Sequence, residues 1–302
     1  MSFALLFSGQ GTQHAAMLPW LADDDLVRAT CARLGVTDWR AALADPAWAQ
    51  RNDVAQTLLT GLSLAAWQQL APHVGVPAAV AGYSVGELPA FSAAGVFEAE
   101  TAAALATARA AAMDRCAKHA PGGLLAVSGL GGQRLERLMA DTGLAIAIRS
   151  GVDSSILGGP HASLDQAERI ATLAGAQCTR LRVNVASHTP WMREAAQDFS
   201  HTLATVHFDP PRALLFGSAG DRIRDAASAR VGLSAQIDHT VRWDAVMDHV
   251  AARQVACVLE VGPGQALAHM WNQRFQAIPA RACDDFRSAA AVATWVNGLA
   301  DG

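Results

Sequence analysis

Five consecutive residues, Gly82-Tyr83-Ser84-Val85-Gly86, have the types and spacing that can turn a serine hydroxyl into a nucleophile. A short apolar run, Pro77 to Ala81, precedes them and reads as a buried strand, and an alanine-rich helical segment, Leu88 to Ala94, follows. Strand, glycine-bracketed serine and helix together make the sharp elbow that lifts a hydroxyl clear of a sheet. Such a turn is too tight for side chains on either side of the serine, so glycine is required at both flanks. The free N–H groups at the start of the following helix point at the same spot and could stabilise an oxyanion there. The plain alternative is a glycine-rich turn with no chemistry.

A serine is a poor nucleophile until a base takes its proton. Of the ten histidines, His188 stands apart, because Val185-Ala186-Ser187-His188-Thr189-Pro190 reads as a polar loop between a strand and a helix. The plain reading of a loop histidine is a surface residue. No H-x-x-x-H or H-E-x-x-H spacing occurs, so a metal site is not expected. A second glycine-bracketed loop, Ser8-Gly9-Gln10-Gly11-Thr12-Gln13, follows the apolar run Ser2 to Phe7. That puts Gln10 at the C-terminal edge of a strand, where open α/β sheets place their ligands.

Composition narrows the classes. The chain has 302 residues, half of them apolar, and a net charge of −4, which suits one large domain or a large domain with an insert. Lys118 is its only lysine and no basic run is interleaved with aromatics, so nucleic acid is not an expected partner. Cys31, Cys116, Cys178, Cys257 and Cys283 are odd in number and scattered. This pattern points to reduced thiols and a cytoplasmic setting rather than a disulfide framework. Met1 to Phe7 lacks the preceding charge and cleavage-like site of a signal peptide and reads as a strand. The charge-free stretch Val54 to Gly86 is interrupted by Gln68, Gln69, Pro72, His73 and Pro77. It is expected to be a helix and a strand, not a membrane span.

The elements that must position these residues follow from periodicity. Asp23 to Gln56 reads as irregular helix carrying Trp39 and Trp48, and Thr57 to Leu70 as a buried helix. Glu98 to Ala117 is a long helix containing Arg109, Met113 and Arg115. After Pro121-Gly122-Gly123 the texture changes. Strand Leu124–Leu130, helix Gln133–Asp141, strand Leu144–Ile148, strand Ser155–Leu157, helix Ser163–Ala174 and strand Cys178–Val183 make the order β-α-β-β-α-β. The large unit then resumes with helix Trp191–Ala204, strand Ala213–Phe216, helices Ser228–Gln236 and Trp243–Ala252, strand Val255–Val261 and helix Ala266–Phe275. The expected fold is α/β, with an α/β-hydrolase-like large domain (1–121 and 186–302) and an inserted ferredoxin-like small domain (122–185).

Several stretches taken in order are specific. Phe7-Ser8-Gly9-Gln10-Gly11-Thr12-Gln13, Gly82-Tyr83-Ser84-Val85-Gly86-Glu87, Arg109, Val185-Ala186-Ser187-His188, Gln236 and Glu260-Val261-Gly262-Pro263-Gly264 resemble the malonyl-CoA:acyl-carrier-protein transacylases over nearly the whole length. Within that family the chain is most similar to the acyltransferase (epsilon) subunit of malonate decarboxylase. The resemblance implies Ser84 as nucleophile and His188 as general base and later acid. It implies the backbone carbonyl of Gln236 as the group that orients the histidine, and the N–H groups of Gln10 and Val85 as the oxyanion hole. Arg109 would pair with the free carboxylate of malonate. Asp238, two residues beyond Gln236, leaves a Ser-His-Asp triad open. The implied partners are an acyl carrier protein, malonyl-CoA and other malonate decarboxylase subunits, with coenzyme A thioester as substrate and no bound cofactor. Two departures stand out: Tyr83 occupies the position where the family usually has histidine, and Arg149-Ser150-Gly151-Val152-Asp153 replaces an asparagine-rich segment.

The reaction so implied is ping-pong, with malonyl passing from coenzyme A to Ser84 and then to the carrier's prosthetic thiol. Fatty-acid or polyketide synthesis is the alternative setting to malonate decarboxylase. A serine thioesterase or hydrolase is a rival that has no use for Arg109, and an inactive carrier-docking subunit is a rival that has no use for Ser84, His188 and Gln10.

Overall fold

The fold, taken from a computed structural model, is described for residues 2–300. Met1, counted into the first strand on sequence, and Asp301 and Gly302 lie outside the described residues. The strands are β1 (Phe3–Phe7), β2 (Ala79–Gly82), β3 (Gly122–Ser128), β4 (Ala145–Arg149), β5 (Ser154–Pro160), β6 (Gln177–Arg180), β7 (Leu215–Phe216), β8 (Arg222–Ile223), β9 (Cys257–Val261) and β10 (Ala280–Ala282).

A six-stranded sheet runs in the order β10-β9-β1-β2-β7-β8. All neighbours are parallel except β7 and β8. Strands β1, β2 and β9 are buried at every residue. This is why Phe3-Ala-Leu-Leu-Phe7 and Ala79-Val-Ala-Gly82 carry no alternation: both faces are covered. The covering helices include Asn52–Val74 before the elbow and Glu87–Ala93, Trp243–Ala251 and Ala289–Ala300 after it, while Ala99–His119 packs on the first two of these. The Asn52–Val74 helix absorbs both Gln56 and the segment expected as Thr57–Leu70, and carries Pro72 in its last turn. Trp39 is buried and Trp48 half-buried, each in a four-residue helix.

The second sheet has four antiparallel strands in the order β4-β5-β3-β6. Helices Gly132–Thr142 and His161–Leu173 connect its outer and inner strands, so the element order is β-α-β-β-α-β. Those helices and the sheet enclose a separate apolar cluster around Leu125, Leu135, Leu157 and Leu164. The two sheets are not detached. The Arg149 amide donates to the Val241 carbonyl at 2.9 Å, and the Val241 amide to the Ala147 carbonyl at 2.9 Å.

One expectation is corrected here. Gly122-Gly123 and Gly158-Gly159-Pro160, taken on sequence as breaks, lie inside β3 and β5 and pair with one another. A Cβ on Gly122 would come 2.5 Å from the Gly159 carbonyl, and one on Gly158 would come 2.7 Å from Thr189 Cγ2. These glycines permit close approach of backbone to backbone and of the small sheet to the segment carrying His188. Beyond Phe275, where the sequence reading ends, the chain adds β10 and the helix Ala289–Ala300. Among the described residues, no helix is long and apolar enough to cross a membrane.

Candidate active site

The elbow is built as its glycines require. A Cβ on Gly82 would lie 2.1 Å from the Gly86 carbonyl oxygen, and one on Gly86 would lie 2.3 Å from that of Phe7. Substituting either residue drives side chain into backbone. Gly86→Ala is therefore expected to destabilise the fold by at least about 3 kcal/mol, the upper range for overpacking. The check is a chemical-unfolding midpoint; one matching wild type would mean that the elbow tolerates a methyl group. Between the glycines Ser84 adopts φ +56°, opening the helical turn Ser84–Gly86 that leads into the helix Glu87–Ala93.

His188 is brought to Ser84 from 104 residues away, with Nε2 at 2.8 Å from Ser84 Oγ. It too is left-handed, at φ +63°. These two are half of the four non-glycine residues with positive φ among the described residues. Strain of about 1–3 kcal/mol at each of two facing polar residues marks a site over-determined by its surroundings. The backbone of His188 is pinned by its amide, which donates to Ile237 O at 2.7 Å. Its ring Nδ1 contacts the main-chain carbonyl of Gln236. A carbonyl can only accept, so Nδ1 carries the proton and Nε2 is left to accept from the serine hydroxyl.

Asp238 does not enter this arrangement. Its carboxylate lies 2.6 Å from His239 Nδ1, a mostly exposed partner. The triad left open on sequence is not formed, and the carbonyl of Gln236 occupies the place a carboxylate would take.

His188 is buried, and burial together with the positive field of Arg109 pushes its pKa down to about 3, against the opposing pull of the Gln236 carbonyl. The imidazole is therefore neutral at any working pH and available as a base.

Gln10 lies beside Ser84 on the wall of one cavity of about 210 Å³, together with Tyr83, Ser187, His188 and Met270. The Gln10 amide donates to no other group among the described residues. Val85 sits at the amino end of the helical turn, where amides have no helical acceptor. The Gln10 loop is held by Thr12 Oγ1, which donates to Pro263 O at 2.8 Å. Tyr83 stacks edge-on against Trp243 at 5.1 Å between ring centroids, so its bulk is packing as much as polarity.

Arg109 is 1% exposed. Nη1 donates to Gln56 Oε1 at 2.7 Å and Nη2 to Gln236 Oε1 at 3.0 Å, while Nε is buried without a partner. Gln236 thus holds the histidine with its main chain and the arginine with its side chain. Neither Arg109 nor Gln236, to which it is bonded, lines the 210 Å³ cavity. The other two arginines named on sequence are elsewhere. Arg115 pairs with Asp198 at 3.0 Å on the surface, both more than half exposed, and Arg149 ends β4.

Four contributors, Gln56, Ser218, Glu87 and Glu260, have no role assigned on sequence. Gln56 and Ser218 carried no sequence signal beyond a polar residue among apolar ones. Glu87 closes the elbow motif; it is fully buried and accepts from the Ser218 amide at 2.5 Å. Glu260 accepts from Ser8 Oγ at 2.7 Å and from the Ala268 amide at 2.8 Å. From β9 it ties Ser8, the residue after β1, to the first turn of the helix Ala266–Arg274 beside the cavity. A carboxylate inside the otherwise apolar strand Cys-Val-Leu-Glu-Val was the available signal, since such a charge must be bonded where it is buried. Among the described residues no group of three His, Cys, Asp or Glu side chains converges as a metal site would.

Comparison with known proteins gives one consistent picture. The family described as "acyl transferase domain" matches residues 4–301. The malonyl CoA-acyl carrier protein transacylase of Mycobacterium tuberculosis (strain ATCC 25618 / H37Rv) is 34% identical over 298 residues, covering 92% of this chain and 95% of that protein. The crystal structure of MCAT from Mycobacterium tuberculosis superposes with a TM-score of 0.85 at 28% identity, covering 99% of each chain. That of the acyl-carrier-protein S-malonyltransferase from Burkholderia pseudomallei 1710b superposes with a TM-score of 0.88 at 26% identity, covering 97% of this chain and all of the other.

Proposed function

The chain belongs to the acyl transferase domain family, and on that premise we propose that it is a malonyl-CoA:acyl-carrier-protein S-malonyltransferase. The observation that carries the reading is the relay from Ser84 Oγ through the His188 ring to the Gln236 carbonyl. In this proposal His188 Nε2 takes the hydroxyl proton as Ser84 attacks the thioester carbonyl. The amides of Gln10 and Val85 hold the oxyanion, and the proton is returned to the departing coenzyme A thiol. A second round transfers malonyl from the serine ester to the prosthetic thiol of a carrier protein. We read 1–121 and 186–302 as an α/β-hydrolase-like unit and 122–185 as a ferredoxin-like insert over its site. The narrower likeness to a malonate decarboxylase subunit has no observation of its own to favour it. The transacylase that supplies a biosynthetic carrier is the reading we advance, with a cytoplasmic setting resting on five unpaired cysteines.

Arg109 is the group we assign to the malonate carboxylate. Its unpartnered Nε is the donor that remains, and its two amide partners can be exchanged for a planar anion that a guanidinium grips at two points. Arg109→Ala is expected to lower kcat/KM for malonyl-CoA about 30- to 140-fold, the equivalent of about 2–3 kcal/mol for a charge-assisted bond. Acetyl-CoA, which has no carboxylate, should be spared. Initial rates with both donors in wild type and variant decide the matter. Equal losses would make Arg109 a structural residue and remove the specificity argument against a thioesterase.

A further inference from the structure

Glu87 opens the helix after the elbow, and its carboxylate is in an unusual position. Oε1 accepts one bond, from the Ser218 amide, while Oε2 is buried without a partner, as is the neighbouring Ser218 Oγ. Arg109, whose field acts on Glu87, makes no direct ion pair among the described residues and is gripped by two neutral amide oxygens. The helix Ala99–His119 packs against that of Glu87 and, besides Arg109, carries Glu100 paired with Arg33, Asp114 bonded by Asn52, Arg115 paired with Asp198, and Lys118 and His119 in its last turn; only Arg109 acts on Glu87. β1 and β2 are apolar throughout. The Asn52–Val74 helix carries Asp53, engaged by Arg51, and His73 at its two ends. The loop after β7 contributes the neutral Ser218. His188 is neutral, as derived above. One buried cation and one buried anion therefore oppose each other, each with an unpartnered buried atom, Arg109 Nε and Glu87 Oε2.

Adding a carboxylated acyl chain upsets this balance. Two carboxylates would share one guanidinium in a site shielded from water, and an uncompensated buried charge is expensive. Paired carboxylates in enzymes relieve the same conflict by holding one proton between them. Building on the assignment of Arg109 to the malonate carboxylate, we propose that Glu87 is a specificity-determining positioning residue. It neutralises Arg109 while the site is empty and takes up one proton from solvent when a carboxylated acyl group docks on the guanidinium. An acyl group without a carboxylate leaves Glu87 ionised and takes up nothing. Burial pushes the Glu87 carboxyl up to about 7, against the pull of Ser218 and Arg109, so the proton is close at hand near neutral pH.

The test uses the full chain carrying Ser84→Ala, so that donors bind without reacting. Calorimetric titration at pH 8 in two buffers of different ionisation enthalpy reads proton uptake directly. For malonyl-CoA the expected uptake is about 0.9 proton per site, the ionised fraction one unit above a pKa of about 7. For acetyl-CoA, which carries the same coenzyme phosphates, it is none. Malonyl-CoA affinity should fall about tenfold from pH 6 to pH 8 by the same linkage. Adding Glu87→Gln should abolish the uptake and restore the pH 6 affinity at pH 8. Uptake that persists in Glu87→Gln would move the proton to another group, Glu260 being the other carboxyl raised to about 7 by burial, and would overturn the proposal. If Glu87→Gln does not fold, the two donors on the Ser84→Ala protein still decide, because equal uptake with both refutes it. Malonyl-CoA that binds Arg109→Ala undiminished removes the premise instead. Binding that depends on Arg109 but takes up no proton sinks this proposal alone.

Discussion

Ser84→Ala should fold as the wild type does and should take up no malonyl group. Two observations separate these effects. Among the described residues Ser84 Oγ makes a single hydrogen bond, to His188 Nε2, so its loss removes little from the fold. The left-handed backbone at φ +56° costs alanine about what it costs serine, on the order of 1–2 kcal/mol, so the elbow strain is unchanged. Chemistry has no such substitute. No cysteine lines the cavity beside Ser84, and Ser8 and Ser187, which do, lie outside the elbow. In a serine protease, removing the nucleophile of a comparable pair costs on the order of 10⁶ in kcat. The measurement is intact mass after incubation with malonyl-CoA: wild type gains one malonyl group, and the variant keeps its mass. An adduct on the variant would place the acylated residue elsewhere, and peptide mapping would show where.

The parts of this site that were legible in the sequence are those governed by local geometry. Gly82 and Gly86 are readable because each sits where a Cβ would strike backbone, and only glycine meets that demand. The runs that became β1, β2 and β9 are readable because strands covered on both faces lose alternation altogether. Other features depend on partners far along the chain. Gln56, Gln236 and Arg109 meet across 53 and 127 residues, and nothing local to any of them announces it. The glycine pairs at 122–123 and 158–159 have the composition of turns, yet lie in strands because two backbones approach there. β10 is three residues with an arginine in its middle, too short to show a period, and it adds only at the sheet edge. The Ala289–Ala300 helix begins with three alanines after a serine, a pattern of high helix propensity that is legible locally. Glu87 was visible as a residue and invisible as a problem, since the cost of its carboxylate appears only once its burial is known.

His188→Ala is expected to slow acylation by on the order of 10²- to 10⁴-fold, the usual worth of a positioned general base. The geometry says which neighbours share that role. Asp238→Asn should leave kcat within about twofold, because its carboxylate serves His239 and lies outside the relay. A loss comparable with that of His188→Ala would restore the Ser-His-Asp triad and displace the Gln236 carbonyl. Acidity gives an independent check. With its pKa near 3, His188 stays in its basic form from pH 8 down to about 5, so kcat at saturating donor should not fall through its titration in that range. The sign for stability is the opposite of a harmless group. The folded pKa lies below the ordinary 6.5, so the unfolded chain binds a proton that the folded one refuses, and stability drains away as pH falls from about 6.5 toward 3. Removing the imidazole removes that penalty. Thermal melts of His188→Ala should therefore lose less on acidification than those of wild type, while its acylation remains crippled at every pH. A histidine that merely packed would give the first result without the second, and an exposed one the second without the first.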